Sequence, residues 1–541
     1  MNKNSKNNLL NLLLILMFVL LLLSSFYTGM RYMKHSFATA GFLFKSDSKV
    51  VQTLNLLRYA YVDSLSVQQL EEDAIHGMLK KLDPHSQYIP PALLPSVNET
   101  INGNFSGIGI QFNILNDTVV VINTVPKGPS EKAGVMAGDR LTVVDGDTIA
   151  GRKYVNNDII KRLKGETGSK VNVGMLRRGV PELLYFDIVR DRIPIVSVDA
   201  AYMLTPETGY IKVNAFSKST LDEFRQALAQ LRSGGMTQLM VDLRDNSGGL
   251  IDPATQMAGL FLPKGTLIVY TEGNNSPRQD YYSEERDTSY LHTGLTVLIN
   301  ENSASASEIF AGAIQDNDRG TIVGRRSYGK GLVQKQHDLR DGSAIRITVA
   351  RYYTPTGRSI QKPYANRDEY YDELNERYRH GELTQADSTH FNDSLMFRTP
   401  QGKIVYGGGG VMPEIFVPLD TSYFSEYYAK VMRRGWIYRF ALEYTDRHRK
   451  ELSDMPDYMA LEKKLIRDHI IEQFTAYATK QGLPLNSRDR AVSAAAIQNI
   501  LTAVIVRNIF GDSGYYPILN KEDAIVQTAV RELERERRNG L

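Results

Sequence analysis

Residues 9–23 form an apolar run broken only by Asn11, behind Lys3 and Lys6. With Ser24, Ser25, Phe26 and Tyr27 the run comes close to the ~20 residues that a spanning helix needs. The pattern predicts an uncleaved signal anchor in residues 1–40. A cleaved signal peptide is the alternative, but its small-residue site, Ala38-Thr39-Ala40, lies well downstream of the run. The cationic end stays in the cytoplasm, so the remainder of the chain would be exported.

Beyond the run the period changes several times. Over 49–78, Val50, Leu54, Leu57 and Tyr61, then Leu70, Ala74 and Met78, recur at helical spacing. Asp83-Pro84-His85-Ser86 breaks that pattern and Pro90-Pro91 closes it, predicting a helical unit over 41–100. Residues 101–190 read as a β-rich module. Strands are expected over 108–112, 118–125, 139–144, 170–176 and 183–189, with a helical turn at 130–133 and an amphipathic helix at 156–163. From 191 to 420 strands alternate with helices: strands at 210–213, 239–243 and 295–299, and a helix at 220–231. Within this part, 362–398 is polar and is expected to be a surface excursion. Residues 421–541 are mostly helical, with Pro456, Pro484 and Pro517 as expected breaks. The fold class is multidomain α/β: a helical N-terminal unit, a β-rich module, an α/β core and a helical C-terminal extension.

Composition narrows the chemistry. A net charge of +3 over 541 residues leaves no basic footprint for a nucleic acid. The arginines of 531–538 alternate with acids, which predicts a solvated terminal helix. The absence of cysteine removes thiol catalysis, thiolate metal sites and disulfides. The nine histidines show no metal-ligand spacing, and none lies between residues 305 and 330. No metal or cofactor is expected.

The chemical candidates cluster. Ser303, Ser305 and Ser307 stand between an apolar strand and a helix whose Ala306, Ile309, Phe310, Ala313 and Ile314 share a face. A hydroxyl at a helix N-terminus meets N–H groups and a dipole that stabilise developing negative charge. It also makes an ordinary helix cap. Lys330 follows between Gly329 and Gly331. A lysine of ordinary pKa, about 10.4, acts as a base only if burial lowers it to about 7–8. Gln334 shares a face with Lys330 on a strand or on a helix, and its amide oxygen could hold the amine. The stretch 324–330 also fits G-x-x-x-x-G-K, but Gly331 stands where a phosphate-binding loop needs Ser or Thr for magnesium. Asp316, Asp318 and Glu308 read as surface or capping acids. Asp242 to Gly249 runs out of a buried strand, and either Gly248 or Gly249 could pair with the Ala306 N–H as an oxyanion hole. Gly107-Ile108-Gly109-Ile110 precedes a strand and could catch a peptide's terminal carboxylate.

Taken together, the Asn300–Glu308 run, Gly329–Gln334, Asp242–Gly249, Thr354-Pro355-Thr356-Gly357-Arg358-Ser359-Ile360-Gln361, Leu82-Asp83-Pro84-His85-Ser86 and the loop at 107–110 resemble the C-terminal processing peptidases, or tail-specific proteases. The resemblance covers about 45–420. It implies Ser305 as nucleophile, Lys330 as base, Gln334 as its support, and a PDZ domain at 101–190 whose loop at 107–110 binds substrate tails. It implies a serine endopeptidase acting on protein C-terminal regions; with the N-terminal run, the expected site is the bacterial inner membrane, the catalytic part in the periplasm. Two alternatives stand beside it, a catalytically inactive PDZ scaffold and a Ser-Lys amidase of cell-wall peptides. The extension at 421–541 lies outside the shared pattern and is a candidate surface for a homo-oligomer or an adaptor.

Overall fold

The structure is a computed structural model that describes residues 48–385 and 393–538, with 17, 20, 21 and 23–28 near the N-terminus. Most of the segment expected to anchor the chain, and the Ala38-Thr39-Ala40 site, lie outside the described residues. The chain divides into two compact units, 1–88 and 89–541.

In the first unit the helical period resolves into α1 (Lys49–Ala60) and α2 (Val67–Leu79). They are separate because Ser66 starts a new helix by accepting the Gln69 N–H. Past α2 the Asp83 carboxylate accepts the N–H groups of His85 and Ser86 and the Ser86 hydroxyl, turning the chain.

The second unit opens with α3 (Leu94–Asn102) and the β-rich module. Its elements are β1 (Asn104–Gly107), β2 (Ile110–Leu115), β3 (Thr118–Thr124), α4 (Pro129–Ala133), β4 (Arg140–Val144), α5 (Asn156–Leu163), β5 (Lys170–Leu176), β6 (Leu184–Val189) and β7 (Asp191–Pro194). The sheet runs β2-β3-β4-β5-β6, and β1 pairs with β7 to close the module's two ends on each other. The strand expected from 108 begins at Ile110. Ile108 turns inward into the core and Gly109 takes φ +72°, so both form the bend before the strand.

The α/β core contains β8 (Val198–Met203), β9 (Thr208–Val213), α6 (Thr220–Ser233), β10 (Gln238–Asp242), α7 (Ile251–Gly259), β11 (Leu267–Gly273), β12 (Ser276–Tyr282), β13 (Gly294–Ile299), α8 (Ala306–Asp316), β14 (Thr321–Gly324), β15 (Leu332–Asp338), β16 (Ala344–Tyr353), α9 (Arg367–Arg379) and β17 (Ile415–Phe416). The central sheet runs β8-β9-β10-β13-β14-β17, parallel from β9 onward. Every residue of β9 and β10 is buried, as strands covered on both faces require. A second, antiparallel sheet pairs β15 with β16, β16 with β11 and β11 with β12.

The extension supplies α10 (Glu426–Arg433), α11 (Trp436–Ser453), α12 (Tyr458–Arg467), α13 (Ile470–Lys480), α14 (Ser487–Phe510), α15 (Asp512–Leu519) and α16 (Ala524–Arg538). Pro456 and Pro484 fall between helices, but Pro517 lies inside α15. Among the described residues α14 alone is long and apolar enough to cross a membrane. Its Ile497, Leu501, Ile505 and Val506 are buried in the core of the extension.

One expectation needs correction. The terminal helix is not solvated all round. The Ile525, Val526, Ala529 and Leu533 face of α16 packs against Tyr210, Met240, Leu298 and Val323, covering the central sheet opposite α6, α7 and α8. Within the polar insertion, α9 is largely exposed, as expected of a surface excursion, but it is anchored by Tyr370 and Arg377, buried against the chain just before Lys330.

Candidate active site

Three serines stand at the turn from β13 to α8, and the structure separates them. Ser303 donates to the Leu243 carbonyl at 2.8 Å, and Ser307 to the Asn246 carbonyl at 2.8 Å. Both are buried pins between this turn and the loop after β10. Ser305 is half-buried, and its backbone takes φ 56°, ψ −113°. A non-glycine residue in such a conformation costs about 1–3 kcal/mol and persists only where its surroundings enforce it.

The enforcing group is Glu308, one helical turn on and fully buried. Its carboxylate accepts the Ser305 N–H at 2.8 Å, the Ser327 hydroxyl at 2.5 Å, the Gly329 N–H at 2.7 Å and the Lys330 N–H at 2.9 Å. One acid thus caps α8 and ties the Ser305 turn to the Lys330 loop. It was expected as a surface or capping acid; it caps, from the interior. Burial pushes its pKa up, and the four donors pull against that. Donors that could have faced a phosphate in a G-x-x-x-x-G-K loop face this carboxylate instead.

Other contacts complete the loop. The Tyr352 hydroxyl on β16 lies 3.0 Å from the Ser305 carbonyl and 2.6 Å from the Lys330 carbonyl. Gln361 accepts the Gly331 N–H at 2.8 Å, and the Lys362 N–H donates to the Gly329 carbonyl at 3.0 Å. Arg377 caps the Arg326 carbonyl at 2.7 Å and the Ser327 carbonyl at 3.2 Å. Tyr352, Gln361 and Arg377 were not among the expected site residues. The motif at 354–361 could have pointed to Gln361; no local signal marks the other two. Lys330 itself is half-buried in the loop before β15. Gln334 lies on β15 beside a bulge, its amide donating to Thr348 Oγ1 at 3.4 Å.

On the far side of Ser305 runs the loop from Asp242 to Gly249. Burial works to raise the pKa of Asp242, but Arg244 and Lys212 overcome it and hold the carboxyl well below the usual range. Asn246 is fully buried, donates to the Val213 carbonyl at 3.0 Å and accepts the Gly248 N–H at 2.8 Å. Gly248, at φ +101°, lies so close that a Cβ there would sit 2.7 Å from Ser305 Cβ and 2.9 Å from the Ala306 nitrogen. The Gly248 N–H is therefore committed, whereas the N–H groups of Gly249 and Ala306 make no hydrogen bond among the described residues.

The loop at 107–110 forms one end of a cavity of about 530 Å³ between β2 and α5. Ile108, Ile110, Phe112, Ile160 and Leu163 give it an apolar lining.

Comparison with known proteins gives the family. Residues 207–370 match the model of peptidase family S41, and 106–187 match a PDZ domain. Residues 427–511 match a family of unknown function. A carboxy-terminal-processing protease of Bartonella bacilliformis is 35% identical over 337 residues, which cover 61% of this chain and 76% of that protein. A CtpA-like serine protease of Staphylococcus aureus is 32% identical over 314 residues, 58% of this chain and 62% of that one. Among solved structures, the photosystem II D1 C-terminal processing protease matches at 30% identity and TM-score 0.34, over 59% of this chain and 85% of its own. This chain belongs to the carboxy-terminal-processing proteases of peptidase family S41, serine-type peptidases, and carries their PDZ domain.

Proposed function

We propose that the chain is a Ser-Lys endopeptidase that cleaves exported proteins near their C-termini after the PDZ groove has taken hold of the tail. The observation that carries this reading is the single buried carboxylate, Glu308, that holds the backbone of Ser305 and of Lys330 together. Ser305 Oγ attacks the scissile carbonyl and its proton passes to neutral Lys330 Nζ. The oxyanion is held by the Gly249 and Ala306 N–H groups, the two not otherwise engaged. Lys330 then protonates the leaving amine as the peptide bond breaks. Water, deprotonated by Lys330, hydrolyses the acyl-enzyme, and the proton returns to Ser305. Gln334 orients the amine from β15. The strained backbone at Ser305 argues for this use, since an inactive scaffold would have no use for it.

The apolar run at 9–23 and the bacterial relatives support a site of action in the cell envelope, the chain anchored in the inner membrane and its catalytic part in the periplasm. Turnover of an unfolded protein with an apolar C-terminus tests the mechanism. Ser305→Ala and Lys330→Ala should each lower kcat by at least about 10⁴-fold, as loss of either member of a coupled pair does. Near-wild-type turnover by Lys330→Ala would overturn the lysine-base mechanism.

A further inference from the structure

Helix α3 stands between the peptidase core and the PDZ groove and touches both. On the core side, Asn98 accepts a hydrogen bond from Gln336 of β15 at 3.3 Å, and Asn102 accepts one from Lys218 Nζ at 2.8 Å. On the groove side, Glu99 forms an ion pair with Lys164, the residue that ends α5. The Lys164 side chain runs beside the carboxylate loop. A Cβ on Gly107 would lie 3.9 Å from Lys164 Cγ, and the ammonium sits 4.9 Å from the centre of the Phe105 ring. Glu99 and Lys164 both line the cavity of about 530 Å³, and its lining holds one cation and one anion, each the other's partner.

We propose that Glu99 is a built-in competitor for the substrate's terminal carboxylate, and that a tail binds by taking Lys164 from it. This rests on the reading of the groove as a tail-binding site. A free α-carboxylate entering beside Gly107 needs a counter-charge, and Lys164 supplies the one in the lining. While Lys164 holds Glu99, two carboxylates would share one ammonium, so tail binding and the ion pair oppose each other. The opposition is reciprocal: whatever the pair adds to the docking of α3 is subtracted from tail affinity. The groove selects an apolar last residue through Ile108, Ile110, Phe112, Ile160 and Leu163, and a free acid through Lys164. Because Asn98 reaches β15 two residues beyond Gln334, a tail that displaces Glu99 loosens a helix attached to the strand that carries part of the catalytic set.

The test is fluorescence anisotropy on the full chain carrying Ser305→Ala, so that no peptide is cut. The probes are a labelled octapeptide ending in leucine with a free carboxylate, and the same peptide as its C-terminal amide. Adding Glu99→Gln should tighten the acid about five-fold, the weight of a partly exposed ion pair, and leave the amide unchanged. Lys164→Gln should weaken the acid and abolish the gain from Glu99→Gln. An acid affinity that Glu99→Gln leaves unchanged or weakens, or an equal gain for the amide, overturns the competitor. If the parent prefers acid to amide and Glu99→Gln changes nothing, the competitor falls and the tail-binding reading stands. If no variant distinguishes acid from amide, both fall.

Discussion

The catalytic turn and the PDZ domain are both held by charged groups, but by charged groups of opposite kinds. At the turn and along α8 the charges are buried. Glu308 accepts four hydrogen bonds, and at the other end of α8 Arg358 and Asp316, each without exposed side-chain surface, lie 2.7 Å apart, with only the Arg358 Nε of the two side chains left without a partner among the described residues. Removing one partner from such a set leaves an uncompensated buried charge and costs about 3–5 kcal/mol. The PDZ domain is held by partly exposed charges. Arg140 pairs with Asp446 on α11, Arg178 caps the carbonyls of Asp446 and Arg447, and Glu99 pairs with Lys164. The apolar contact across the α11 boundary is small, with Leu115 and Val120 meeting Leu442. Partly exposed pairs contribute about 0–1 kcal/mol each. On the proposed function, chemistry that needs fixed positions sits where contacts cannot exchange, and recognition sits where they can.

The sharpest way to break that comparison is to open the buried set. Glu308→Ala leaves three N–H groups and a hydroxyl without their acceptor and frees the Ser305 turn from the Lys330 loop. Stability should fall by at least about 3 kcal/mol, at about 1–3 kcal/mol per unsatisfied group, and kcat should fall by about 10²-fold or more. Chemical denaturation and steady-state kinetics measure both; a folded variant with unchanged kcat would show that Glu308 is only a helix cap. The wild-type carboxyl adds a pH signature. Its native pKa is raised, so its contribution to stability is fully present below the unfolded value, about 4.3, and is lost as pH rises through the native one. Glu308→Gln should remove that slope from the stability profile.

A smaller effect tests whether α9 belongs to the rigid region. Arg377 and Arg326 share the Glu382 carboxylate, and Arg377 also caps two carbonyls of the loop between β14 and Lys330. Arg377→Gln should lower kcat about ten-fold with KM unchanged, because it would shift the loop of the proposed base Lys330 and not the PDZ groove. Arg377→Lys, unable to hold a carboxylate and two carbonyls from one planar fork, should restore little. A rise in KM at constant kcat would place α9 with the recognition surface instead.

Local pattern made much of this legible. The spans 156–163 and 170–176, read from apolar spacing, are those of α5 and β5, since a buried face repeats on the period of its element. Ser305, Lys330 and Gln334 could be proposed because a strand, a helix and a glycine-flanked lysine lie close in the chain, with their roles implied by the family resemblance. Arg377 could not, because the carbonyl it caps belongs to Arg326, 51 residues earlier, and neither residue carries a local sign of the other. The burial of α16 was hidden for the same reason. Gln238 donates to the Leu533 carbonyl across 295 residues, and the alternating charges of 531–538 describe only the solvent face of that helix.

The smallest effect concerns the seam between the PDZ domain and α11. Arg140 and Asp446 lie 2.7 Å apart with 32% and 12% of their side chains exposed. Next to them Arg449 packs against Gly138, its Nε and Nη2 buried without a hydrogen-bond partner, and burial lowers its pKa. An unsatisfied guanidinium opposes docking, so the seam rests on the ion pair, the Arg178 bonds to two α11 carbonyls, the Arg439 bond to Asn116 and the Leu442 contact. A double-mutant cycle with Arg140→Ala and Asp446→Ala should give a coupling of about 0.5–1 kcal/mol that shrinks as salt rises. Turnover should not fall in either variant, since neither residue touches the catalytic turn. A coupling above about 3 kcal/mol, insensitive to salt, would be the signature of a buried pair. It would put the PDZ domain in the same rigid class as the turn and leave no contact there for a substrate tail to exchange.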